Sequence, residues 1–90
     1  MDINELWTYA CSGNIAKLRE YYNSPSKVLN QRFKASLGEN SLIMGAFRNE
    51  QYETVEYLIS VGETLTPKEK ERIIKELKKQ ELLRRLAFLN

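Results

Sequence analysis

The sequence predicts an all-α fold, and three observations carry that prediction. Apolar residues recur three and four positions apart in several short blocks. Breaks containing glycine, proline or asparagine separate the blocks. No stretch shows a convincing alternation of apolar and polar residues, so no strand is expected.

The elements come in order. Asp2 or Asn4 can cap a first helix carrying Leu6, Trp7, Tyr9 and Ala10. Ser12-Gly13-Asn14 breaks it, and a second helix begins there with Ile15, Leu18, Tyr21 and Tyr22. Asn23-Ser24-Pro25-Ser26 ends that helix, because proline and small polar residues favour turns. Val28 to Asn40 reads as an irregular connection. Ser41 begins a third helix with Leu42, Ile43, Ala46 and Phe47 as its apolar set, and Arg48-Asn49-Glu50 stops it. A fourth helix runs from about Tyr52 to Val61 and is expected to bury Val55, Leu58 and Ile59. Gly62 stands where a glycine cap belongs. Thr66-Pro67, with Glu69 and Glu71 in the first turn, opens a last helix that runs nearly to the end of the chain.

The two halves superpose. Leu6 falls on Ile43, Ala10 on Phe47, Gly13 on Glu50, Leu18 on Val55 and Tyr22 on Ile59, always 37 positions apart and without a gap. Self-similarity at such a period marks stacked repeats. Leu6-Trp7-Thr8-Tyr9-Ala10-Cys11-Ser12-Gly13-Asn14 and Val55-Glu56-Tyr57-Leu58-Ile59-Ser60-Val61-Gly62 together resemble the ankyrin repeat. The threonine–proline–leucine–histidine motif of that family is absent, with Trp7 and Met44 in the histidine positions. The period exceeds the usual ~33 residues.

Ninety residues make one domain at most, and the resemblance divides it. A first unit would span 4–29, a finger loop 30–40, a second unit 41–65, and a basic helix over 66–90 would cap the stack. It also implies a binding face built from the first helix of each pair and the finger loop. Carried over by alignment, that face holds Cys11, Ser12, Arg48 and Asn49 on the helices, with Arg32, Phe33, Lys34 and Glu39 on the loop.

Residues 67–90 carry eight Lys and Arg against four Glu, net +4, while the rest of the chain holds six cations against eight acids. Ile73, Ile74 and Leu77 form a stripe that can dock on the second unit. Leu82, Leu83, Leu86 and Leu89 resume the apolar pattern more than ~90° further round the helix. Either the helix bends near Gln80 and folds these leucines back, or a continuous helix offers them to a second copy of the chain or to another protein. Lys75, Lys78, Lys79, Arg84 and Arg85 read first as a solvated face. Contact with nucleic acid or with an acidic protein surface is the alternative.

Composition excludes much else. The whole chain of 90 residues has net charge +2 and pI near 8.7, short of a dedicated nucleic-acid binder. It has no histidine, one aspartate (Asp2) and one cysteine (Cys11). Histidine-assisted nucleophiles, histidine metal sites and multi-aspartate calcium loops are therefore absent. Gly13, Gly38, Gly45 and Gly62 are too scattered for a phosphate loop. No metal, cofactor or enzymatic activity is expected. The start, MDINELW, lacks the basic and apolar runs of a secretory signal, and no membrane span is expected. The chain is expected in the cytoplasm, of its own cell or of a host, as a protein-binding inhibitor or adaptor of the kind viruses and phages direct at host machinery. Nucleic-acid binding or transcriptional regulation through the basic helix is the runner-up.

Overall fold

A computed structural model of the chain describes residues 2–35 and 38–87. It contains α1 (Ile3–Ser12), α2 (Ile15–Tyr22), β1 (Phe33–Ala35), β2 (Gly38–Asn40), α3 (Leu42–Arg48), α4 (Tyr52–Ser60) and α5 (Pro67–Ala87). The fold is all-α, as the periodicity predicts. The expected irregular connection holds one exception. Strands of three residues are too short to show alternation, and here β1 and β2 pair antiparallel, with Phe33 opposite Asn40 and Lys34 opposite Glu39.

Local capping explains where the helices begin. Asp2 Oδ1 accepts from the backbone N–H groups of Asn4 (2.7 Å) and Glu5 (2.9 Å). Asn14 Oδ1 accepts from Lys17 N–H and Ser41 Oγ from Met44 N–H. Each satisfies an amide that the first helical turn leaves without a partner.

The two helix hairpins make the same turn, 37 residues apart. Gly13 and Glu50 both adopt left-handed backbone, with φ of 76° and 59°. Asn14 N–H donates to Tyr9 C=O, and Gln51 N–H to Ala46 C=O, each at 2.9 Å. A left-handed residue at the helix end turns its chain so that such carbonyls find donors.

Packing departs from that register by one residue. Leu18 and Tyr22 are buried in α2, but their counterparts in α4 are half-buried Val55 and exposed Ile59. Thr54 and Leu58 are buried instead. The expected burial of Ile59 is thus corrected: it is 54% exposed. The cause is the element that comes next in the chain. It is a single helix, α5, which faces α3 across a cleft. Among the described residues, no second helix of a further unit lies over the outer side of α4, and Ile59 stays in water.

The core joins Leu6 and Ala10 of α1, Leu18 and Tyr22 of α2, and Leu42, Ile43 and Ala46 of α3, with Leu58 and Phe33. The central helix α3 is buried on every side from Leu42 to Phe47. That requires Gly45. A Cβ there would lie 2.8 Å from Trp7 Cη2 and 2.9 Å from Cζ3, so the indole rests against bare backbone. We expect Gly45→Ala to destabilise by about 1–2 kcal/mol despite the higher helix propensity of alanine. Urea denaturation checks this, and a stabilised variant would contradict the α1–α3 approach.

α5 corrects two further expectations. It is one unbroken helix of 21 residues, about 31 Å long, and Leu82, Leu83 and Leu86 stay exposed instead of folding back onto the core. Much of it projects from the body, consistent with extents of 52 × 25 × 22 Å. The Ile73–Ile74–Leu77 stripe also fails to dock. Ile73 is half-buried, while Ile74 and Leu77 are about half exposed, at 51% and 48%. The positions turned to the body are Glu69, Ile73 and Gln80, a mostly polar row at helical spacing.

Candidate protein-interaction surface

Two buried glutamates position the surface elements. Glu69 opens α5 with a capping box: its N–H donates to Thr66 Oγ1, and its Oε1 accepts from Thr66 N–H at 3.0 Å. The same carboxylate reaches across the fold. Oε1 accepts from Arg32 Nη1 (3.1 Å) and Oε2 from Ser41 N–H (3.0 Å). One side chain therefore ties α5, the start of α3 and the base of the β-hairpin together. Burial works against its charge, but the amides of Ser41 and Thr66, the Arg32 guanidinium and the Ser41 hydroxyl outweigh burial. They hold the carboxyl down at about 2.

Glu63 likewise ties the end of α2 to the loop at Asn30. Its Oε1 accepts from Tyr22 Oη–H (2.7 Å) and its Oε2 from Asn30 N–H (2.9 Å). Asn30, itself left-handed with φ of 60°, accepts from Thr64 N–H and Oγ1. Burial, and then Glu63, push the Tyr22 phenol far above the usual tyrosine range, so it stays a donor. Tyr22→Phe removes that donor from a buried carboxylate. We expect a loss of about 1.5 kcal/mol, read by thermal denaturation.

Beside this frame lies an open cleft of about 550 Å³ between α5 and the α3–α4 turn. Met44, Phe47 and Tyr52 supply its apolar part, the two rings meeting edge to face at 6.0 Å. Arg48, Arg72, Lys75 and Lys79 surround it, with Glu50 and Glu76 as the carboxylates. None of these charged groups lies within ion-pair distance of an opposite charge among the described residues. A second hollow of about 360 Å³ lies on the outer side of the first hairpin, between Ile3, Tyr21 and Val28.

The structure disperses the residues nominated from sequence. Arg48 lines the cleft. Ser12 and Lys34 are exposed, whereas Cys11 is half-buried and burial pushes its thiol up. Phe33, expected on a binding loop, is instead 5% exposed and stacks on Trp7 at 5.5 Å. Hairpin pairing turns that ring inward to the core. Arg32 is engaged with Glu69, and Asn49 Nδ2 donates to Gly45 C=O, closing α3. The Glu39 side chain lies outside the described positions, as does Leu89.

On α5, Leu82, Leu83 and Leu86 are exposed, at 56%, 56% and 46%. Lys75 and Lys79 face the cleft, Lys78 and Arg84 are exposed, and Arg85 Nη2 donates to Glu81 Oε1 at 2.9 Å. Sequence reasoning missed Glu63 and the wider role of Glu69. The Thr66-x-x-Glu69 spacing could have revealed the cap, but nothing local points to Ser41 or Arg32.

Among the described residues no helix is long and apolar enough to cross a membrane, and no group of three His, Cys, Asp or Glu could hold a metal ion. Compared with known proteins, the chain matches no family model, no curated protein and no solved structure.

Proposed function

We propose that this chain is a non-enzymatic protein-binding module, an ankyrin-like pair of helix hairpins extended by a presenting helix. One observation carries the reading: α5 leaves Leu82, Leu83 and Leu86 together in water. Clustered exposed leucines mark contact sites more often than leucines scattered singly do. A module of this kind acts by occupying a partner's surface, as an inhibitor or adaptor does. A virus- or phage-encoded protein directed at host machinery fits the same description.

Affinity purification from the native host, with mass spectrometry, tests the proposal. A stoichiometric protein partner is expected. Recovery of none, with the chain monomeric in sedimentation, overturns it. Self-pairing through the leucine face is the competing way to cover it, and concentration-dependent sedimentation would reveal that.

A second reading rests on Lys75, Lys78, Lys79 and Arg84, which lack ion pairs with described residues. They could contact phosphates. Affinity for DNA or RNA would then fall steeply with salt, and no binding at ~50 mM salt eliminates it.

A further inference from the structure

The cleft and the leucine face are parts of one surface. Arg72, Lys75, Glu76 and Lys79 sit three and four positions apart and line the cleft from the α5 side. Leu83 and Leu86 lie four and seven positions beyond Lys79, on the same side of an unbroken helix. The cleft therefore opens, toward the end of α5, onto an aliphatic ledge. From Arg72 to Leu86 the surface is about 21 Å long. Its inner half is apolar at the bottom, where Met44 and Phe47 lie, and cationic at the rim; its outer half is aliphatic.

We infer that this surface receives an acidic amphipathic helix of a partner protein. The inference rests on the protein-binding reading above and specifies its site. A cleft with an apolar floor that leads onto an aliphatic ledge is a form that a helix's apolar face fills. Four cations against two carboxylates give the rim an excess of positive charge, which favours a segment rich in Glu or Asp. The same charges argue against other occupants. A second copy would bring its own α5, whose cations repel these. A nucleic-acid strand would find aliphatic leucines where it needs phosphate contacts, and Glu50 and Glu76 would oppose it. A small anion would use the rim and leave the ledge bare.

The test uses the full chain and a fluorescein-labelled helical peptide of about 14 residues, matching the ~21 Å surface. The peptide has leucines at helical spacing and glutamates on its flanks. Controls are the same composition scrambled, a version with lysine for glutamate, and an oligothymidylate. Fluorescence anisotropy at low and moderate salt reads binding. The acidic helix is expected to bind more tightly than all three controls. The exposed double variant Lys75→Glu/Lys79→Glu should weaken it about tenfold or more, and Leu83→Lys by a similar factor. Circular dichroism confirms that the variants stay folded. Failure to bind the acidic helix, equal binding of a control, or variants without effect overturns the inference. A native protein partner whose capture survives both variants also overturns it and leaves the protein-binding reading standing. Absence of any protein partner removes that reading, and the assigned occupant with it.

Discussion

Glu69→Ala should lower the stability of this chain by about 3 kcal/mol and free α5 from the body. The change leaves Ser41 N–H, Thr66 N–H and the Arg32 guanidinium without their shared acceptor. Arg32 is partly exposed, but each amide that loses a charged acceptor costs about 1.5–3 kcal/mol. A domain of this size has only ~5–13 kcal/mol in total, so the melting temperature should fall by roughly 15 °C. Ile73 and Gln80, the other inward positions of α5, are only half-buried and cannot compensate. Limited proteolysis should therefore cut near Thr66 in the variant before the hairpins unfold. Intact protection of that segment would show that α5 is held by something else.

The same carboxylate sets an acid limit. Its folded-state value of about 2 lies below the ordinary 4.5, so the unfolded chain takes up this proton first as pH falls. The stabilisation is complete above about pH 4.5 and is lost progressively toward pH 2, in total on the order of 3 kcal/mol. Glu69→Gln, which has no charge to lose, should flatten stability across that window. If the Glu69→Gln variant kept the acid dependence of the natural chain, the assignment would be refuted.

Leu58→Ala and Ile59→Ala form the second decisive comparison. Leu58 is fully buried and should cost about 3 kcal/mol on truncation. Ile59 is 54% exposed and should cost about 0.5 kcal/mol or less. Equal losses, read by urea denaturation, would mean that α4 buries the face expected from the 37-residue alignment and that a further element covers it.

Helix starts and stops were legible in the residues themselves, because capping is chemistry between neighbours. Asp2, Asn14, Ser41, Gly13 and Gly62 act on amides and carbonyls a few positions away. The hairpin register was legible for the same reason: both turns repeat the same backbone bonds. Burial is a relation between distant segments, and there the pattern misled. Ile73, Ile74 and Leu77 look like a docking stripe, yet the row turned inward is Glu69, Ile73 and Gln80. Phe33 looks like a loop contact until three-residue pairing turns it onto Trp7.

The sequence alone determined that this chain is helical, where its helices break, and that its charge gathers on the last one. Only the tertiary structure decided that α5 is unbroken, that one glutamate fastens it, and that an aromatic-floored cleft continues into exposed leucines. Hydrogen bonds to near neighbours are written in residue order. The angle at which one helix leaves the body is fixed by Ser41 and Arg32, 28 and 37 residues from the carboxylate they meet, and no local pattern encodes that meeting.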